Sequence, residues 1–236
     1  MSKYQLFRSL RNIVGTLGPI IVIVSATTVS AQTLPPKATV VQGADQQNAA
    51  ACTSCHGIKG EGNALAGFPR LAGLSMPYLQ RQLTAFASGE RQNAVMQPIA
   101  KSLTAPQQAV LAGYFSRLAS PLPGAVSGTV EIKNTDIGAW LAQRGRWENE
   151  LPACVQCHAQ GGLGVGTAFP PLAGQSVTYI ENQLHAFKRK TRSGGPMNLM
   201  GVVAGKLSEA DITAVANYYG EIKTPAVATP EKKVSK

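Results

Sequence analysis

The sequence predicts an all-α protein built from two small helical domains in tandem. Three observations carry that reading. The chain repeats itself at an offset near 100 residues, its apolar residues recur at helical spacing, and neither half holds a run of alternating strand character. With 236 residues there is room for two domains of ordinary small size.

The repeat is read block by block. Cys52-Thr53-Ser54-Cys55-His56 aligns with Cys154-Val155-Gln156-Cys157-His158 at an offset of 102. Phe68–Gly73 (FPRLAG) aligns with Phe169–Gly174 (FPPLAG) at 101, and Tyr78, Gln82, Leu83 and Phe86 align with Tyr179, Gln183, Leu184 and Phe187 at the same offset. Met96 and Leu103 match Met200 and Leu207 at 104, and Ala112–Phe115 matches Ala216–Tyr219. Five blocks in one order make this a duplicated domain.

Each half offers the same helices. Tyr78, Leu79, Gln82, Leu83 and Phe86 form one helical face with Gly89 as its stop, and Tyr179, Ile180, Leu184 and Phe187 form its partner. The last helix of each half opens on a start signal: Thr104-Ala105-Pro106 puts proline in the first turn, and Ser208–Asp211 has the form of a capping box. The second half also carries Trp140 and Trp147 on its opening helix, without equivalents before Cys52. The boundaries that follow are a signal segment at 1–31, a first domain at 32–119, a linker at 120–136 opening on Ser120-Pro121-Leu122-Pro123-Gly124, a second domain at 137–224 and a basic tail at 225–236.

The N-terminal segment has a basic start (Lys3, Arg8, Arg11), an apolar stretch centred on Ile20–Val24, and a small-x-small site, Val29-Ser30-Ala31, before Gln32. It reads as an export signal, which places the mature protein in the periplasm. An uncleaved anchor, with Asn12 to Ala31 barely spanning a bilayer, is the competing reading. Lysine and arginine total 22 against 12 acids, and removing the segment leaves 19 against 12, about +7. That modest excess argues against a nucleic-acid role. It favours docking to an acidic protein or an anionic membrane surface.

All four cysteines and two of the three histidines sit in the two C-x-x-C-H motifs. Two thiols at this spacing reach the two vinyl groups on one edge of a porphyrin, and the adjacent histidine swings beneath the iron; the motif is the attachment signature of haem c. A zinc site, a redox dithiol and a disulfide are the alternatives for a lone C-x-x-C. Two copies, each followed by histidine in an exported, repeated chain, point to two covalently bound haem c groups at Cys52, Cys55, Cys154 and Cys157. Aromatics make up only 6% of the chain, so a buried porphyrin would supply apolar surface that each small domain lacks.

Iron held by His56 and His158 needs a sixth ligand, and a duplicated chain should supply it at matched positions. Met96 and Met200 meet that test, and thioether opposite imidazole raises the reduction potential. Met197, three residues before Met200 and behind Gly194-Gly195-Pro196, competes for the second site. Met76 has no counterpart and reads as packing, and His185 reads as a surface or packing residue. The backbone carbonyls of Pro69 and Pro170 are candidate acceptors for the free N–H of the two histidines. Gly57, Gly60, Gly62 and Gly161–Gly166 are expected to let the backbone pass close to the porphyrin edge.

The blocks C-x-x-C-H, F-P-x-L-A-G, Y-x-x-x-Q-L-x-x-F and M-x-x-[IV]-x-x-x-L-[ST], each present twice over residues 45–222, resemble the di-haem cytochrome c4 family. The resemblance implies two class I cytochrome c domains about a pseudo-twofold axis with their haem propionate edges facing. It also implies iron ligands His56/Met96 and His158/Met200, and a non-enzymatic carrier in the respiratory chain. Its partners would be redox proteins: a quinol-oxidising complex, a dehydrogenase or a terminal oxidase. A cytochrome subunit of a membrane dehydrogenase or oxidase complex shares that chemistry. A di-haem enzyme, of the peroxidase or thiosulfate dehydrogenase kind, would need an open or unusual iron ligand such as cysteine, and no cysteine is left over. His158 is followed by Ala159-Gln160 where the first repeat has Gly57, so the two haems need not share one potential.

Overall fold

A computed structural model describes residues 50–120 and 135–222, all within one compact unit, Val40–Lys236. The expected signal segment, the start of the expected first domain, most of the expected linker and the expected basic tail lie outside the described residues. Those described are helical and connected by turns, with four isolated antiparallel bridges and no strand.

The first repeat opens with helix α1 over residues 50–56, followed by α2 (Met76–Ser88), α3 (Met96–Lys101) and α4 (Ala105–Arg117). The second contains α5 (Ile137–Arg144), α6 (Val155–His158), α7 (Val177–Lys188), α8 (Leu199–Gly205) and α9 (Glu209–Gly220), with short 3-10 turns at Trp147–Asn149, Gln160–Gly162 and Pro196–Asn198. The expected stops and starts are present. Gly89 closes α2 at φ 89°, its N–H donating to the carbonyls of Ala85 and Phe86. Lys190, its counterpart at an offset of 101, holds a left-handed φ of 59° just beyond α7. Both last helices open on a complete capping box, Thr104 with Gln107 and Ser208 with Asp211.

One expectation is corrected. Trp140 lies on α5, but Trp147 lies beyond the end of that helix in the following 3-10 turn and is 66% exposed. The helix cannot continue because Gly145 turns it at φ 71°, where a Cβ would sit 2.3 Å from the Leu151 carbonyl oxygen.

In each repeat the long central helix packs against the last one. Leu74, Tyr78, Leu79, Leu111, Ala112 and Phe115 form the first core. The second core is larger because α5 joins it, adding Leu141 and Ala142 to Ile180, Leu184, Ile212, Val215 and Tyr219. Gly138 lets α5 press onto α9, since a Cβ there would lie 2.3 Å from the Ala214 carbonyl oxygen.

Arg146 fastens the turn after α5 to α9 through a two-pronged pair with Asp211, at 2.9 and 2.8 Å. The guanidinium and the Ser208 N–H hold the Asp211 carboxyl down to about 2. A carboxylate held below its unfolded value near 3.9 stabilises fully above that value, and loses its contribution as pH falls towards 2. Asp211→Asn should therefore cost about 2 kcal/mol at pH 7 and flatten the acid limb of stability between pH 5 and 2, read by urea unfolding across that range.

The two repeats meet through reciprocal contacts. The Gln92 N–H donates to the Thr191 carbonyl at 2.8 Å, and the Ser193 N–H donates to the Glu90 carbonyl at 2.8 Å. Under an offset of 101 each bond maps onto the other, so a pseudo-twofold axis passes through the antiparallel bridge between Arg91 and Arg192.

Candidate functional site

Each C-x-x-C-H motif coils into a helical turn, which puts its two cysteines on one face, three residues apart, with the histidine next in line. The imidazoles point inward, and His56 and His158 are buried. In both the ring orientation is set by a proline carbonyl: His56 Nδ1–H donates to Pro69 O at 2.9 Å, and His158 Nδ1–H donates to Pro170 O at 2.8 Å. With Nδ1 committed as donor, Nε2 is left with its lone pair, the tautomer a metal requires. Burial lowers the proton affinity of both rings, outweighing the carbonyls that raise it, and at His56 the Arg91 charge lowers it further. Both imidazoles are thus held neutral and ready to ligate.

At two of the glycines expected at the porphyrin edge, the close approach is between protein loops. A Cβ on Gly62 would lie 2.6 Å from the Arg70 nitrogen, and one on Gly164 would lie 2.7 Å from the Pro171 nitrogen. The loop after the histidine packs directly on the F-P-x-L-A-G loop, and Leu71 and Leu172 donate to the Gly60 and Gly162 carbonyls at 2.8 Å. That packing carries the proline carbonyl to the imidazole. The phenylalanine of each F-P-x-L-A-G block completes the wall, its ring centroid 6.2 Å from that of His56 or His158.

In the second repeat a largely apolar cavity of about 590 Å³ has Cys154, Cys157, His158 and Met200 on its walls. Its size falls within the ~300–1,000 Å³ range of cofactor pockets. Met200 is half-buried on α8, while Met197 is 85% exposed in the preceding turn at φ 47°. Gly194-Gly195-Pro196 is the insertion that shifts the repeat offset from 101 to 104, and it carries Met197 away from the cavity. Met96 starts α3 and is half-buried, its N–H donating to Asn93 Oδ1 at 2.8 Å. Met76, expected in packing, is 40% exposed beside α4, and His185 meets Glu209 at 3.5 Å on the outer side of α7.

The cysteines do not suit thiolate chemistry. Burial pushes the Cys154 thiol up to about 11 and raises Cys52 as well, the opposite of a redox dithiol or reactive nucleophile. No disulfide joins either pair. An apolar cavity edged by two un-ionised cysteines and a neutral, carbonyl-oriented imidazole fits a covalently bound porphyrin.

A family model described as cytochrome c matches residues 40–116 and again 148–222. The chain belongs to the cytochrome c family. Within it, the chain is 31% identical to reduced cytochrome c4 from Pseudomonas stutzeri, covering 76% of this chain and 97% of that one with a TM-score of 0.64. It is 42% identical to a protein named thiosulfate dehydrogenase electron acceptor from Stutzerimonas stutzeri, over 77% of this chain and 83% of that protein. A protein of the same name from Thiomonas intermedia is 47% identical over 72% of this chain and 77% of its own length. This cytochrome is a di-haem electron carrier of the c4 type, with covalent haem c fitting the motifs at Cys52/Cys55 and Cys154/Cys157.

Sequence reasoning missed a set of buried polar residues between the cytochrome domains. Arg70, Arg91, Arg192 and Gln175 are all buried. The Arg70 N–H donates to Gln175 Oε1 at 2.9 Å, and Gln175 Nε2 donates back to the Arg70 carbonyl at 3.2 Å. Burial lowers the Arg70 guanidinium to about 10, and its Nε finds no acceptor. Extending the alignment five residues past Phe86 and Phe187 would have exposed Arg91 and Arg192 as a matched pair.

Proposed function

We propose that this cytochrome is the periplasmic acceptor of electrons from a thiosulfate-oxidising dehydrogenase, holding one electron per haem before passing them towards a terminal oxidase. The observation that carries this reading is the identity to the two electron acceptors, 42% and 47%, which exceeds the 31% to 34% to proteins named cytochrome c4. Coupling two thiosulfate ions through a new sulfur–sulfur bond releases two electrons, which suits two one-electron sites.

Haem iron supplies the one-electron chemistry. His56 and His158, oriented by Pro69 and Pro170, together with Met96 and Met200, would hold the iron of each haem. With those residues holding both irons no site would be left for substrate, which suits a carrier whose donor does the dehydrogenase chemistry. Export through the N-terminal segment puts it in the donor's compartment, and the mature protein should begin at Gln32.

The test mixes the ferric di-haem protein with thiosulfate, with and without a purified thiosulfate dehydrogenase, and follows haem absorbance. Rapid reduction of both haems only when the dehydrogenase is present is the expected result. Failure of the dehydrogenase to reduce it would remove thiosulfate from the proposal. Reduction by thiosulfate alone, with a coupled sulfur product, would make the chain itself the enzyme.

A further inference from the structure

The two F-P-x-L-A-G loops meet across the pseudo-twofold axis, and at one point they do not match. Arg70 stands in the first loop where the second has Pro171, and Gln175 follows the second loop where the first has the buried Leu74, both at an offset of 101. These two departures touch each other. The Arg70 N–H donates to Gln175 Oε1 at 2.9 Å, and Gln175 Nε2 donates to the Arg70 carbonyl at 3.2 Å. One side-chain amide thus closes on the backbone of a single residue in the opposite repeat. Both residues are buried, and the contact has no counterpart across the axis: Pro171 has no N–H to donate, and Leu74 has no oxygen to accept one.

The Arg70 N–H belongs to the same peptide group as the Pro69 carbonyl, which accepts from His56 Nδ1–H at 2.9 Å. An unbroken chain therefore runs from the first imidazole through that peptide to Gln175 of the second repeat. Hydrogen bonds in such a chain polarise one another. Drawing on the N–H puts more negative charge on the carbonyl oxygen and strengthens its pull on the imidazole proton. In the second repeat the chain stops at the peptide. His158 Nδ1–H donates to Pro170 O at 2.8 Å, but the nitrogen behind that carbonyl is the tertiary amide of Pro171. Gln175 is held in place from both sides. Its own N–H donates to the Leu172 carbonyl at 3.1 Å. The Arg70 guanidinium ties Ala72 O at 2.8 Å and Ala173 O at 3.2 Å, the matching carbonyls of the two loops.

We propose that Gln175 is a positioning residue for the first haem, acting from the second domain through the Pro69–Arg70 peptide to make His56 a more electron-rich ligand. A stronger pull on the imidazole proton gives the ring more imidazolate character, and an electron-rich ligand favours ferric iron. Gln175 thus lowers the potential of the first haem, and the second haem has no equivalent. One side chain sets apart two sites that are otherwise built alike.

The test is a spectroelectrochemical titration of the di-haem protein carrying Gln175→Leu, with each potential assigned to its haem by NMR of partly reduced samples. The ferrous-to-ferric equilibrium constant of the first haem should rise about threefold, or about 28 mV at ~59 mV per tenfold for a one-electron couple. Gln175 also lines the cavity of the second repeat, so the second haem controls for a general loss of polarity. An equal or larger shift there, or none at the first haem, would overturn the proposal. Proton NMR of the fully reduced protein separates positioning from packing. The His56 Nδ1–H resonance should move upfield, the direction of a weaker hydrogen bond, while that of His158 stays; a His56 resonance that stays put sinks the idea. The variant leaves two buried backbone groups of Arg70 without partners and can fail to fold. The unmodified reduced protein then decides: its His56 Nδ1–H should resonate downfield of that of His158, and coincidence or the reverse order rejects the proposal. Neither readout involves thiosulfate or a partner, so the identity of the donor can fail independently.

Discussion

Met200→Ala should lower the midpoint potential of one haem by on the order of 100 mV or more, out of the ~0.8 V range that axial ligands command, while Met197→Ala leaves both potentials in place. A thioether stabilises ferrous iron more than ferric, so its loss favours the oxidised state. Geometry separates the two methionines. Met200 lies on α8 facing the cavity that holds His158, while Met197 is 85% exposed on a turn at left-handed φ. For Met197 to reach the iron, a side chain that is now 85% exposed would have to be buried. The check is a potentiometric titration of both variants, with the far-red thioether-to-iron band followed in parallel. Loss of half that band in Met197→Ala, with Met200→Ala unchanged, would reverse the assignment. Met96→Ala should give the same fall at the other haem.

The repeat made most of this legible. Each C-x-x-C-H motif needs only local helical geometry to place two cysteines and a histidine, so its chemistry can be read without a fold. Pro69 and Pro170 were readable too, because a rigid loop with a free carbonyl follows each motif in both halves. The repeat pointed to Met200, but the loop before it left Met197 in competition. The choice depends on how Gly194-Gly195-Pro196 spends its extra length, and three residues of loop carry no periodicity to interpret. Trp147 was placed on the wrong element because the turn at Gly145 depends on a tertiary contact with Leu151. That Gly62 and Gly164 serve loop-on-loop packing appears only once the F-P-x-L-A-G block is folded back. Arg91 and Arg192 were hidden for a different reason: sequence marks arginine as a surface residue, and only the reciprocal interface buries this pair.

Cys154→Ser combined with Cys157→Ser should do more than remove one haem; it should unfold the second domain and weaken the first. The cavity flanked by these cysteines is about 590 Å³. Without haem, the apolar walls of this cleft would be left facing water, a loss of burial that a small domain with only ~5–15 kcal/mol of stability cannot readily bear. Collapse is the way out, and it requires α7 and α8 to leave their places, since Ile180, Leu184 and Val203 line the same cavity. Leu74, Tyr78 and Ala85 of the first domain also line it, so the damage crosses the axis, and Arg91 loses Tyr179 and Gln183 together. The double variant should show half the haem absorbance per chain and about half the helical circular dichroism. The remaining domain should melt lower than in the parent protein. If the second domain instead kept its helices and its resistance to protease while haem-free, the porphyrin would be a passenger in a self-sufficient core. The large, mostly apolar cavity, lined from both domains, argues the reverse: haem is the centre of that core, and the same group that carries the electron holds the fold around it.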